Sequence, residues 1–201
     1  MQLFKNFILI VFSLLTSQLV MYYLIDEIIV IFASSSVPYI LGRCLLGFVI
    51  FGCLKFLMKE FEIDSVYTEL AMILYLILLV SITLFKGDSK TYDYNFVPFH
   101  FLSYASEVNP STFIAAILIN VLLLVPLGGY LRIKNIKFAI SWQVILYSSL
   151  TIEGLQFVTK RGSFDMDDLI LNTVGGCLAY FVLGRVYNRI LRNKLSTPFR
   201  F

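Results

Sequence analysis

The chain has 201 residues, of which 59% are hydrophobic and 14% charged, and its mean hydropathy is +0.84. Soluble domains average roughly 45–50% apolar residues, so this composition excludes an ordinary soluble protein and predicts an integral membrane protein. The formal net charge of +3 is small and the basic residues are spread along the chain, so no nucleic-acid partner is predicted.

Six apolar segments follow one another, each long enough to cross a hydrocarbon core of about 30 Å as a helix. Helices are expected because lipid cannot satisfy the hydrogen bonds of an open backbone. The predicted fold class is therefore all-α, a polytopic transmembrane helical bundle of about six spans. The predicted spans lie near residues 3–25, 38–58, 67–85, 112–131, 138–158 and 166–188.

Two of the amino-terminal segments have special features. The run after Lys5 exceeds the roughly 7–15 apolar residues of a signal-peptide core, so it is expected to be a retained membrane helix. The segment 28–37 is expected either to extend the second span, with a bend at Pro38, or to lie at the membrane surface.

The distribution of lysine and arginine predicts the orientation. With six spans and a cytoplasmic amino terminus, eleven basic residues fall on the inside and four on the outside, and Arg43 lies within a span. The positive-inside rule then favours cytoplasmic termini. The loop 86–111 and the turn around 159–165 are predicted to face outward from the cytoplasmic membrane, toward the cell envelope.

Polar residues concentrate where the fifth and sixth spans meet. Glu153 and Gln156 are spaced i, i+3 and share a face of the fifth span. Glu153 lies about 7 Å from the outer end of that helix, and a carboxylate at that depth needs a partner in the bundle. Arg161 lies in the connecting turn, where its guanidinium is predicted to clamp carboxylates.

The sixth span continues the polar set. Asp165, Asp168, Asn172 and Gly175 follow at i, i+3, i+7 and i+10 and form one stripe along the helix. The pair Gly175–Gly176 is predicted to let another helix approach closely. The stripe therefore leads from the mouth of the hairpin into the bundle.

A structural interpretation competes with a functional one for these residues. Asp165 is a candidate N-cap, and Asp167 and Asp168 would then be first-turn acids at the positive end of a helix. Gln156 and Asn172 would be interhelical hydrogen-bond partners. Asp167 falls off the stripe, so only the structural role is predicted for it.

Four residues outside the hairpin are further candidates for substrate binding. Asn95 and His100 lie in the outer loop, whose aromatic residues also fit a belt at headgroup level, with the single histidine structural. Asn120 lies in the middle of the fourth span, either as a packing hydrogen bond or reaching the stripe. Arg43 is expected to pair with an acid of the cluster or to extend toward the interface.

No metal, cofactor or disulfide is predicted. Glu153, Asp165 and Asp168 carry the oxygen ligands that hard divalent cations prefer, but Arg161 beside them disfavours a cation. The cysteines lie inside apolar stretches without paired spacing and are expected to be buried hydrophobes. They are Cys44, Cys53 and Cys177.

Together these motifs resemble the VanZ-like family of bacterial membrane proteins, over about residues 80–190. Two shorter pieces support the resemblance, Asn95-x-x-Pro98-Phe99 in the loop and Asn120 with Pro126-Leu-Gly128 in the fourth span. The main motif consists of Glu153, Gln156, Arg161, Phe164, Asp165, Asp168, Asn172, Thr173 and Gly175. The resemblance implies a small polytopic protein, residues 67–201 being the VanZ-like domain and 1–66 a variable two-span region.

The named member of that family is associated with resistance to teicoplanin-type lipoglycopeptides. The resemblance and the outward placement lead us to expect a site that binds or modifies an envelope lipid or a lipid-linked cell-wall precursor. An enzyme, a lipid or small-molecule transporter or flippase, and a non-catalytic scaffold all remain open. If the site is catalytic, the residues predicted to act are Glu153, Arg161, Asp165 and Asp168, with Glu153 the buried acid or base.

Overall fold

Helices account for almost all of the described chain, and the predicted all-α fold class is confirmed. The structure, a computed structural model, describes residues 2–25, 36–58, 65–84, 94–105 and 108–196. The segment 28–37, expected either to extend the second span or to lie at the membrane surface, falls mostly outside the described residues. The chain divides into two compact units, residues 1–91 with 158–162 and residues 92–157 with 163–201.

The first unit contains three long helices. They are α1 (Gln2–Val20), continued by a π-helical turn (Met21–Ile25), α2 (Ser36–Leu57) and α3 (Ser65–Leu84). Helix α2 packs against both α1 and α3. The hydroxyls of Ser13 and Ser17 donate to the carbonyls of Leu9 and Leu14 within α1, so these polar groups are satisfied inside an apolar helix.

The second unit holds most of the predicted site. Its elements are β1 (Tyr94–Asn95), α4 (Phe101–Tyr104), α5 (Pro110–Leu123), α6 (Val125–Ile133), α7 (Phe138–Val158), β2 (Phe164–Asp165) and α8 (Met166–Ser196). Helix α5 starts at Asn109, whose side chain accepts from the backbone N–H of Ser111 at 3.1 Å. Pro110 follows at the first helical position, where its missing N–H costs nothing.

Among the described residues, four segments are long and apolar enough to cross a membrane. They are Phe4–Tyr23, Val66–Leu84, Pro110–Ile133 and Met166–Arg185. Helices α2 and α7, with 22 and 21 residues, occupy the two other predicted spans. The buried positions of α7 include serines, Glu153 and Gln156, which makes this helix less apolar. The total of six spans stays a prediction.

Pro126 interrupts the fourth predicted span without ending it. The helix breaks at Leu124, between α5 and α6, and α6 then continues to Ile133. The break occurs because proline lacks the N–H that would continue the helical ladder. The two halves α5 and α6 both pack against α8.

Glycine allows the backbones of α8 and its neighbours to touch. A Cβ on Gly175 would lie 1.8 Å from the carbonyl oxygen of Val121, and one on Gly128 would lie 1.9 Å from that of Gly176. Real Cβ atoms do not approach so closely, so these positions accept only glycine. The predicted close approach at Gly175–Gly176 is confirmed, and its partners are α5 and α6.

Helix α8 is tied to the rest of this unit at its start and near its middle. At one end, β1 and β2 form a short parallel ladder that pairs Asn95 with Asp165. Nothing in the sequence predicted these strands, because two residues are too few for a recognisable alternation. Near the middle of α8, the Tyr180 hydroxyl donates to the carbonyl of Ile136 at 2.7 Å, and the guanidinium of Arg132 lies over the Tyr180 ring.

Candidate functional site

The turn into α8 lies against a buried carboxylate of α7. Glu153 is 2% exposed, and its Oε2 accepts the backbone N–H of Asp165 at 3.2 Å. The Asp165 carboxylate in turn accepts the backbone N–H of Asp167 at 2.8 Å, which is the geometry of an N-cap. The capping role considered for Asp165 is therefore confirmed, and Glu153 holds the residue that caps the helix.

Asn120 and Asp168 connect α5 to α8. The Asn120 amide Nδ2 donates to Oδ1 of Asp168, so Asn120 does reach the polar stripe. The contact is possible because Val121, the next residue of α5, lies against Gly175 and brings the two backbones together. A charge-assisted hydrogen bond of this kind is stronger than one between neutral groups.

Asp167 has a role that its position in the sequence did not reveal. Its side chain is 4% exposed and accepts the backbone N–H groups of Phe99 and Phe101, one on each carboxylate oxygen. Asp167 is a first-turn acid of α8, as predicted, and it also binds the loop before α4. Its partners lie 68 and 66 residues upstream, and helix periodicity carries no information about contacts at that separation.

Asn95 joins the loop before α4 to the same turn. Its Nδ2 donates to Oδ1 of Asp165 at 3.4 Å, and its Oδ1 accepts the N–H of Val97 at 3.0 Å. The predicted site residues Asn95, Glu153, Asp165, Asp168 and Asn120 thus belong to one hydrogen-bonded region around the start of α8. Helix α8 presents the positive end of its dipole there, which favours carboxylates.

Three polar residues extend this region inward. Asn172, one turn beyond Asp168, is 1% exposed, and neither its Nδ2 nor its Oδ1 has a hydrogen-bond partner among the described residues. Gln156 is 8% exposed, and Ser149, fully buried, donates to the carbonyl of Leu169 at 3.3 Å. A buried amide without partners typically costs about 1–3 kcal/mol, so Asn172 carries an energetic cost that packing alone does not explain.

The remaining predicted residues lie in the loop, the turn and the first unit. His100 is half-buried and directly precedes α4. Arg161 is half-buried in the turn between α7 and β2. In α2, the guanidinium of Arg43 lies 6.0 Å from the centre of the Tyr39 ring. The clamp role of Arg161 and the substrate contacts of His100 and Arg43 stay predictions.

The chemistry of the region is that of acids and amides. Glu153, Asp165, Asp167 and Asp168 supply carboxylates, and Asn95, Asn120, Gln156 and Asn172 supply amides. Within the part of the chain that the structure describes, no three histidine, cysteine or acidic residues are close enough to hold a metal ion. The region can accept hydrogen bonds from hydroxyl, amine or amide groups and can donate them through the amides.

The family model for VanZ/LLP1 matches residues 72–187, more than half of the chain. The chain belongs to the VanZ-like family. Protein VanZ of Enterococcus faecium is 32% identical over 130 residues, which cover 61% of this chain and 77% of that protein. No solved structure matches this VanZ-like chain.

The VanZ-like match contains the whole hydrogen-bonded region described above. It begins within α3 and ends within α8, so it includes the outer loop, the α5–α6 segment and the α7–α8 hairpin. The predicted resemblance over residues 80–190 is confirmed. Helices α1 and α2, and Arg43 with them, lie outside the match.

Proposed function

We propose that this VanZ-like membrane protein uses the region around the start of α8 to bind the polar part of an envelope lipid or a lipid-linked cell-wall precursor. Binding, or a chemical change made to the bound lipid, affects susceptibility to glycopeptide and lipoglycopeptide antibiotics. The observation that carries the proposal is the burial of the Glu153 carboxylate against the N-terminus of α8.

The depth of Glu153 supports a functional role. A carboxylate costs much to bury in a membrane helix, and such residues usually serve function. The capping of α8 does not require it, because the Asp165 side chain already accepts from the first turn. An uncharged residue would fill the position at lower cost if packing were the only requirement.

The surrounding residues divide by what they contact. Asp167 and Asp165 bind backbone N–H groups and shape the site. Asp168 and Asn120 bind each other, and Asn172 has amide groups that a ligand would satisfy. In this proposal Glu153 and Asn172 contact the ligand.

A non-catalytic scaffold is the second candidate, and one observation favours it. Asp165, Asp167 and Asp168 each accept a hydrogen bond from the protein itself, as expected if the acids tie the loop, α5 and α8 together. The two candidates differ in what they predict for a conservative change of Glu153.

The proposed site faces the outside of the cytoplasmic membrane, with both termini in the cytoplasm, as the distribution of lysine and arginine indicates. A cysteine introduced by Ser163→Cys, in a background lacking the three native cysteines, should react with a membrane-impermeant thiol reagent added to intact cells. Reaction only after the cells are opened would reverse the orientation and place the site on the cytoplasmic side.

The lipid ligand can be sought by purification. Lipids that remain bound to the wild-type protein in mild detergent should be enriched in one phosphate- or glycan-bearing class relative to the whole membrane. The Glu153→Gln variant should lose that enrichment, whereas Glu69→Gln, the same change at an exposed position of α3, should keep it. Mass spectrometry measures all three, and identical compositions that match the bulk membrane would contradict the proposal.

A measurement in cells tests whether the bound lipid is also chemically changed. Membrane lipids and cell-wall precursors should be profiled in cells with wild-type protein, with Glu153→Gln and without the protein, at equal expression. A species that changes only when the wild-type protein is present would support a chemical step. Three matching profiles would exclude an enzyme and leave binding.

A further inference from the structure

The loop before α4 exposes a cluster of large apolar side chains. Five side chains of the segment Tyr94–Leu102, here called the aromatic loop, are between 58% and 61% exposed. They are Tyr94, Phe96, Val97, Phe99 and Leu102. Single exposed apolar residues are ordinary, but a contiguous exposed patch marks a surface that contacts something other than water.

The aromatic loop is held in a defined conformation. Phe99 has φ = 62°, in the left-handed region that a bulky residue rarely adopts. Its N–H and that of Phe101 bind the buried carboxylate of Asp167, and the β1–β2 ladder fixes the other end. A strained backbone persists only where its surroundings enforce it, so Asp167 keeps the exposed rings in place.

The patch continues into the surface of a membrane-crossing helix. The ring of Phe101 lies 6.0 Å from that of Phe113 in α5. Beyond it, α5 exposes Ile114, Leu118 and Leu122 at i, i+4 and i+8, an apolar stripe along the candidate span Pro110–Ile133. The aromatic loop therefore continues, at the start of α5, a face that lipid is expected to cover.

The composition of the loop fits the boundary between lipid and water. Tyrosine and other aromatic residues collect at headgroup level, where one part of the side chain is apolar and another is wet. Tyr94 packs on Phe96, and Phe96 on Phe164 of β2, with ring centres 5.3 and 5.5 Å apart. The rings thus form a continuous aromatic edge beside the start of α8.

We propose that the aromatic loop inserts into the membrane interface, with the rings of Phe96 and Phe99 among the headgroups and upper acyl chains, and that Asp167 is its positioning residue. This interaction surface goes beyond the proposed function, because the insertion of the loop does not depend on which ligand the polar region binds. It also places Asn95 and Asp165 at headgroup depth, so a ligand reaches them from the lipid.

Single tryptophans test the depth of the loop. In a Trp142→Phe background, Phe96→Trp and Phe99→Trp are reconstituted in phosphatidylcholine vesicles brominated near the headgroup end or near the methyl end of the acyl chains. Both tryptophans should be quenched more strongly by the lipid brominated near the headgroup than by the lipid brominated near the methyl end. Aqueous acrylamide should quench both of them poorly. Ser103→Trp, exposed in α4 next to the aromatic loop, is the control for a tryptophan outside the apolar cluster. Tyr147→Trp, exposed in the middle of α7, is the control for a tryptophan deep in the lipid.

Either of two outcomes would overturn the insertion. Quenching by acrylamide with no quenching by lipid would place the rings in water. Protection from both quenchers would place them under a protein, such as a second copy of this chain. These results do not depend on the ligand, so they are distinguishable from a failure of the proposed lipid binding.

The role of Asp167 has its own measurement. Asp167→Ala removes the acceptor of two N–H groups, so the amides of Phe99 and Phe101 should exchange hydrogen roughly tenfold faster or more. The depth profile of Phe99→Trp should broaden in the same variant. If Asp167→Ala does not fold, Asp167→Asn, which keeps one acceptor oxygen, serves instead. Unchanged exchange in a folded variant would show that Asp167 does not position the loop.

Discussion

Replacing Gly175 by alanine is expected to destabilise the protein more than any other small change in the second unit. The added Cβ would lie 1.8 Å from the Val121 carbonyl oxygen, which is backbone and cannot rotate away. Overpacking of a core usually costs about 1–3 kcal/mol and sometimes more. We expect a loss of about 3 kcal/mol in the free energy of unfolding, or roughly 10 °C in Tm, measured by thermal unfolding in detergent.

Gly154→Ala is the matched control for this change. A Cβ at Gly154 would meet nothing within 4 Å, and alanine has the higher helix propensity by about 1 kcal/mol. This variant should be as stable as the wild type or slightly more so. Equal stability of Gly175→Ala and Gly154→Ala would show that α5 and α8 do not approach each other as closely as described.

The same substitution should disturb the polar region. To accommodate a Cβ, α8 must move away from α5. The hydrogen bond between Asn120 and Asp168 lies close to that contact, because Asn120 is next to Val121 and Asp168 is about two turns before Gly175. Loss of packing and loss of ligand binding are therefore expected together in Gly175→Ala. The close helix crossing and the position of the acids are one structural feature.

Replacing Glu153 by glutamine is expected to abolish the proposed effect on antibiotic susceptibility while leaving the fold intact. Glutamine has nearly the same shape and keeps an oxygen to accept the Asp165 N–H, so Tm should change little. It removes the ionisable group and one acceptor oxygen, and leaving a buried hydrogen-bonding group unsatisfied costs about 1–3 kcal/mol. We expect ligand binding to weaken roughly tenfold or more. Cells that carry this variant should be as susceptible to the antibiotic as cells that lack the protein.

Two controls separate a functional role from a structural one. Glu69→Gln, the same change at an exposed position, should leave both stability and susceptibility unchanged. Glu153→Leu removes the acceptor of the Asp165 N–H and should lower stability by about 1–3 kcal/mol. If Glu153→Gln lowered protein level and Tm as much as Glu153→Leu, the acid would serve the scaffold, and the ligand-binding proposal would be wrong.

Local spacing in the sequence predicted much of the region. The i, i+3, i+7 series placed Asp165, Asp168 and Asn172 on one face of α8, because helical geometry relates residues within a few turns. The prediction that Gly175–Gly176 receives another helix was equally local, since it needs only a missing side chain. The VanZ-like motifs extended this set to Asn95 and Asn120, although spacing alone did not connect them to the hairpin.

The spacing of residues in the sequence could not predict the contacts that join these residues. Asp167 binds amides 66 and 68 residues away, and the β1–β2 ladder pairs positions 70 residues apart with only two residues in each strand. Neither leaves a periodic signal. Asp167 falls off the stripe, so no binding role was predicted for it. The same position directs its side chain toward the loop before α4 rather than toward α5.

The sequence by itself determined that this is an all-α membrane protein of the VanZ-like family with a polar stripe on its last long helix. It did so because hydropathy, helical periodicity and motif are properties of neighbouring residues. Only the tertiary structure decided which groups the stripe contacts, that Asn172 has no hydrogen-bond partner among the described residues, and how the aromatic loop is held. Those features depend on backbones meeting at Gly128 and Gly175, and the distances across such a crossing are set by packing in three dimensions.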